Sequence, residues 1–196
     1  MLAYYHDNLS CDRHQETTDD VNCTSSRPVS NEVLNALKYR IYPKYSQSQS
    51  PVDRFKSISQ ELGFPWECEL LRFDVTQSDM EKGVKEMVDY YTRERVIEPY
   101  DVLWMFTHGN ACLDVEEPWT KSTIHLTISE GESVLIPAGA YHHYTLNIHP
   151  ENDIRMWGMY KTSDKSVLEA DLPPLIFGEE AEQHPARKVY LESVRT

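Results

Sequence analysis

Residues 131–145, reading GESVLIPAGAYHHYT, constrain this chain more than any other stretch. A turn at Gly131 leads into the apolar run Val134, Leu135, Ile136, and Pro137 with Gly139 makes a second turn. A strand over residues 141–146 follows. Alternation along it sends Tyr141, His143 and Thr145 to one face and His142, Tyr144 and Leu146 to the other. The pattern predicts a β-hairpin that carries one imidazole, His142, into the interior of a small β-fold. What the chain can do then depends on which side chains accompany His142.

The surrounding texture is β. Strands are expected over residues 95–97, 102–107, 111–115, 123–128, 133–137, 141–147 and 154–160, separated by turn signals such as His108-Gly109-Asn110 and Glu116-Glu117-Pro118. Many short strands spaced roughly 8–12 residues apart make a sandwich or a barrel. The N-terminal part reads differently. Ala3, Tyr4 and Tyr5 can add a strand to a sheet edge, Ser30 can cap a helix over residues 31–40, and Pro51 opens a helix over 52–62 that Gly63 ends. Residues 66–75 read as a strand and 78–91 as a third helix. The expected organisation is a single domain: an N-terminal strand and helical region (1–92), a β core (93–162) and an acidic C-terminal tail (163–196), with a short closing segment near 188–194.

A formal net charge of −13 disfavours nucleic acid and anionic membrane surfaces, which call for stripes of Lys and Arg. No apolar run approaches the ~18 residues of a membrane span, and the first residues lack the signature of a signal peptide, so an intracellular protein is expected. The four cysteines, Cys11, Cys23, Cys68 and Cys112, show no C-x-x-C spacing and read as free thiols.

The spacing Gly131, Pro137, Gly139, His142 resembles the second motif of the cupin superfamily, and IPAGAYHHYT is similar to the LPAGIYHRFT segment of the acireductone dioxygenase family. Ala3-Tyr4-Tyr5, Arg27-Pro28-Val29, residues 83–91, residues 111–115 and Ala186-Arg187 through Leu191 follow in that family's order. The resemblance covers nearly the full length. It implies a cupin β-barrel (a double-stranded β-helix, or jelly roll) with N-terminal helices. It also implies a cytoplasmic and nuclear location, a monomer, and methionine salvage: cleavage by dioxygen of 1,2-dihydroxy-5-(methylsulfanyl)pent-1-en-3-one on Fe(II) or Ni(II).

The departures from the family pattern bear on that chemistry. Its H-x-H-x3-E motif supplies two histidines and a carboxylate to complete the metal site with the counterpart of His142. Setting Trp104 on the aromatic of the family word E-I-R-Y places Asp101 at the carboxylate and Arg95 and Ile97 at the histidines. Shifting by one gives Glu94 and Val96, or Val96 and Glu98; no register supplies a histidine. The family's substrate-pocket arginines fall on Leu103 and Gly158. His142 is thus expected as an interior histidine bonded to Tyr or backbone. Asp101 reads as a turn carboxylate, Glu94 and Glu98 as surface residues, His108 as solvent-facing and His125 as lying on the outer face. Arg95 must pair with Asp101 or leave the interior, because an unpaired buried charge is costly. No catalytic or substrate-binding residue and no resident metal is expected, and the expected reading is an inactive homologue. The alternatives are a dioxygenase with a rebuilt ligand set (Asp101, Glu98, His108, His142) and a non-catalytic cupin that binds a ligand or, through its surface, a protein partner.

Overall fold

The computed structural model describes residues 2–6, 27–44, 50–65, 71–75, 92, 94–146, 153–164, 166 and 175–195. Their order is β1 (Leu2–His6), β2 (Arg27–Pro28), α1 (Asn31–Ala36), β3 (Arg40–Tyr42), α2 (Pro51–Glu61) and β4 (Leu71–Val75). Then come β5 (Val96–Ile97), β6 (Val102–His108), β7 (Asn110–Glu117), β8 (Ser122–Ser129), β9 (Ser133–Ile136), β10 (His142–Leu146) and β11 (Ile154–Tyr160). Finally come β12 (Ile176–Phe177) and two helices, α3 (Gly178–Gln183) and α4 (Pro185–Val194).

The strands form two antiparallel sheets. One runs β12-β5-β10-β7-β8-β1-β2 and the other β3-β9-β6-β11-β4. Period-two burial shows how the core divides. On β6, Val102, Trp104 and Phe106 join the large cluster between the sheets, with Val96, Leu113, Val115, Ile124, Ile136 and Tyr144. Leu103 and Met105 turn the other way and pack with Phe55, Ile58 and Leu135 beneath α2. An antiparallel sheet covered by a helix on its far face buries both sets of side chains, so β6 is apolar throughout its first five residues.

Residues 131–145 are not a hairpin. Strand β9 pairs with β3 and β6, whereas β10 pairs with β5 and β7 in the other sheet. The turn through Pro137 and Gly139 is a crossing between sheets. Alternation and turn residues mark where strands begin and end, but they do not name the strand alongside. Backbone donors help hold the crossing: Gly139 N–H donates to the Glu98 carbonyl at 2.8 Å, and Ala138 N–H donates to Asp101 Oδ1 at 2.9 Å. Gly139 is required twice over. Its φ of +76° favours glycine, and a Cβ there would sit 2.2 Å from the Ala186 carbonyl oxygen at the start of α4.

Other boundaries also moved. The helix expected over residues 31–40 ends at Ala36; Lys38 takes a φ of +65°, and Arg40–Tyr42 becomes an edge strand against β9. The two sheets reach beyond residues 93–162: β1, β3 and β4 join from the N-terminal side and β12 from the C-terminal side. Within the tail, α4 buries Arg187 completely. Arg187 is ion-paired with Glu116, its Nη1 donates to the Gly139 carbonyl at 3.3 Å, and its guanidinium lies 4.2 Å from the centre of the Tyr141 ring. The third expected helix, 78–91, and the first part of the strand expected over 66–75 lie outside the described residues. Among the described residues no helix is long and apolar enough to cross a membrane.

Candidate functional site: the polar interior around His142

His142 lies on the inner face of β10, 1% exposed, with Val96 of β5 on one side and Val115 of β7 on the other. Its Nδ1 lies 3.0 Å from the Ala140 carbonyl oxygen, which can only accept, so Nδ1 carries the proton and Nε2 presents a lone pair. The ring meets Tyr144 edge-on, centroids 5.0 Å apart. Burial pushes the imidazole down to about 4 against the opposing pull of the Ala140 carbonyl, so His142 is neutral at pH 7.

The companion that composition alone did not suggest is Glu98. Expected at the surface, it is fully buried. It stands two residues beyond Val96, so the pleat turns both inward. Tyr160 donates its hydroxyl to Glu98 Oε1 at 3.2 Å and Tyr144 does so at 3.4 Å. Trp104 Nε1–H donates to the Tyr144 hydroxyl at 3.1 Å, extending the chain of bonds. Burial raises the Glu98 carboxyl to about 8, with the two tyrosine hydroxyls pulling it back only partly. At neutral pH the group is mainly a carboxylic acid. Glu98 Oε2 and His142 Nε2 are both buried with no hydrogen-bond partner among the described residues.

The expected occupants of the site lie elsewhere. Arg95 is exposed, and its Nη2 donates to Thr123 Oγ1 at 2.8 Å; it has left the interior without reaching Asp101. Ile97 is buried on the opposite face, in a cluster with Tyr141, Ala181 and Ile176. Asp101 is half-exposed, accepting from Ala138 N–H, with Lys161 Nζ 4.0 Å away. Leu103 faces α2. His108 is solvent-facing beside Glu130, and Glu94 is exposed. Of Asp101, Glu98, His108 and His142, only Glu98 and His142 are interior. Residues 95, 97, 101 and 103 share one parity. The pleat turns that parity away from His142, because one step along a strand flips a side chain to the other face. The inward set is Val96, Glu98, Val102 and Trp104.

Gly158, by contrast, does face this interior. It is the direct cross-strand partner of Trp104, and the indole lies over it so closely that a Cβ would come within 2.2 Å of the ring. The absence of a side chain at 158 is what admits the indole. The signal for Glu98 was in the sequence, since Val96 and Glu98 share a parity. The signal for Tyr160 was not, because its strand meets β6 only in the fold. Among the described residues no group of three or more His, Cys, Asp or Glu could hold a metal ion.

Two antiparallel sheets facing each other over an interior histidine at the end of a P-x-G-x-x-H crossing define a cupin-type fold. The solved structure of the acireductone dioxygenase from Bacillus anthracis with a cadmium ion in its active centre is similar to this chain. Its TM-score is 0.54 at 12% identity, covering 71% of this chain and 90% of that one. The model of the ARD/ARD' family matches residues 2–167, and this chain belongs to that family. Curated relatives include acireductone dioxygenase 1 of Coprinopsis cinerea, 25% identical over 99% of this chain and 98% of that protein. Acireductone dioxygenase 1 of Vitis vinifera is 26% identical over 82% and 76% respectively.

Proposed function

We propose that this chain is a member of its family that does not carry out the dioxygenase step of methionine salvage, its metal site having given way to a neutral hydrogen-bonded interior. The observation that carries the reading is the Glu98, Tyr144 and Tyr160 network beside His142, which has no second histidine with it among the described residues. In the register set by the pleat, Val96 and Glu98 stand at the family's histidine positions, Val102 at its carboxylate, and Trp104 with Gly158 at its arginines. Fe(II) or Ni(II) needs several imidazole or carboxylate donors together. Among the described residues, one imidazole and one carboxyl that burial keeps protonated stand together here, and this pair does not fit either ion. The indole over Gly158 takes up volume that an anionic substrate would need and offers it no charge.

Metal analysis of the purified protein, with an acireductone assay under Fe(II) and then Ni(II), tests this. Substoichiometric metal and no turnover are expected. Stoichiometric iron or nickel, or turnover that His142→Ala abolishes, would instead establish a dioxygenase with a rebuilt ligand set.

A binding role for the outer surface is the second reading. A groove of about 1250 Å³, away from His142, is lined by Lys38, Arg40, Asp101, Lys161 and Val189 among others. Val189 is 65% exposed on α4. Val189→Glu is expected to block a partner in this groove while changing stability by less than about 0.5 kcal/mol.

A further inference from the structure

We propose that Cys112 is a reactive thiol that forms mixed disulfides with low-molecular-weight disulfides, with His125 as its activating partner and Asp114 as the group that orients His125.

The three residues meet on the outer face of the seven-stranded sheet. Cys112 and Asp114 are two positions apart on β7 and share a face, while Ala111, Leu113 and Val115 point into the core. Asp114 lies directly opposite His125 on β8, which places Cys112 diagonally next to His125, within the reach of a cross-strand pair. His125 Nδ1 donates to Asp114 Oδ1 at 2.7 Å. Tyr4 of β1 lies against the imidazole, ring centroids 5.0 Å apart. His143, which flanks Asp114 from β10, has its Nε2 2.8 Å from the Thr92 carbonyl oxygen. The two direct neighbours of Cys112 across the strands are Thr127 and Thr145. Cys112 is a free thiol, half-buried. The three do not form a metal-holding group.

Burial opposes charge on His125. The hydrogen bond and charge of Asp114, together with the sulfur of Cys112, nevertheless push it up to about 10, so at neutral pH the ring is an imidazolium. A cation fixed beside an attacking sulfur, and itself oriented by the Asp114 carboxylate, is the electropositive setting in which reactive cysteines are found. In the exchange the Cys112 sulfur attacks one sulfur of RS–SR. The reagent's S–S bond breaks, Cys112–S–SR forms, and RS⁻ leaves and takes up the proton that the thiol gave up. The disulfide is the oxidant, and the two electrons end on the released thiol.

The test uses the full chain with all four cysteines. It is exposed at pH 7 to oxidised glutathione or to 5,5′-dithiobis(2-nitrobenzoate), quenched with acid and peptide-mapped by mass spectrometry. The adduct at Cys112 is expected to form at least about tenfold faster than reduced glutathione reacts with the same reagent, with His125→Gln removing about tenfold and Asp114→Asn less. Folding of each variant is checked by circular dichroism. If His125→Gln does not fold, Asp114→Asn and the wild-type rate against free glutathione decide the matter. Three outcomes overturn the proposal: a Cys112 rate no higher than that of free glutathione, a rate unchanged in a folded His125 or Asp114 variant, or an adduct formed only after denaturation.

Discussion

His142 and His125 sit two strands apart in one sheet, on opposite faces, and the fold gives them opposite charge. Inside, His142 has a carbonyl, a tyrosine edge and hydrocarbon about it, and burial drives it to about 4. Outside, His125 is also largely buried, yet Asp114 at 2.7 Å and the Cys112 sulfur overcome that burial. Burial alone does not set the charge of a histidine; the presence of an anionic partner decides. The carboxyl nearest His142 follows the same rule. Glu98 has no cation beside it, so it keeps its proton. Glu98 and His142 are thus neutral neighbours at pH 7, while His125 on the outer face is a cation.

The strongest way to break the interior is to reclaim the space over Gly158. Gly158→Ala drives a methyl into the Trp104 indole and is expected to cost about 3 kcal/mol in urea denaturation, because a packed ring cannot retreat. Glu98→Ala is next, at about 2 kcal/mol, since it opens a void and removes the carboxyl oxygen that accepts from the Tyr144 and Tyr160 hydroxyls.

Titration sharpens the contrast. Glu98 is raised from 4.5 to about 8, so its contribution is full below pH 4.5 and is lost as pH rises through 8. His142 is lowered from 6.5 to about 4, so its contribution is present above 6.5 and is lost as pH falls through 4. The two slopes oppose each other between pH 4.5 and 6.5. From 6.5 to 8 only the Glu98 loss remains inside, joined by His125, whose contribution also declines with rising pH. Stability is therefore expected to fall across pH 6.5–8. Glu98→Gln should flatten that fall by up to about 1.4 kcal/mol per pH unit, as read from urea midpoints at several pH values. A smaller effect on stability belongs to Asp114→Asn, under about 1 kcal/mol. Its mark is spectroscopic: the His125 ring signals should titrate nearer the ordinary histidine range, while those of His142 should stay unmoved through neutral pH.

Much of this was legible in the chain. The strands from β5 to β11 fall close to where alternation and turn residues put them, because a half-buried strand imprints its period on the sequence. The inner position of His142 and the outer position of His125 follow from the same rule. Glu98 was misplaced because a carboxylate is so rarely buried that composition outweighed its parity with Val96. Arg95, Ile97, Asp101 and Leu103 were set one step away from the pleat, since a motif with its histidines gone gives no anchor for register.

By itself the sequence determined which segments are strands, where the chain must turn, and to which family it belongs, since these rest on local periodicity and on residues such as Gly139 and His142. Only the tertiary structure decided that β9 and β10 lie in different sheets. It alone brought Tyr160 across to Glu98 and the backbone of α4 onto Gly139, and it laid an indole on a glycine 54 residues away. These are contacts between strands remote along the chain. Whether a buried carboxyl or imidazole is charged depends on which of them closes around it.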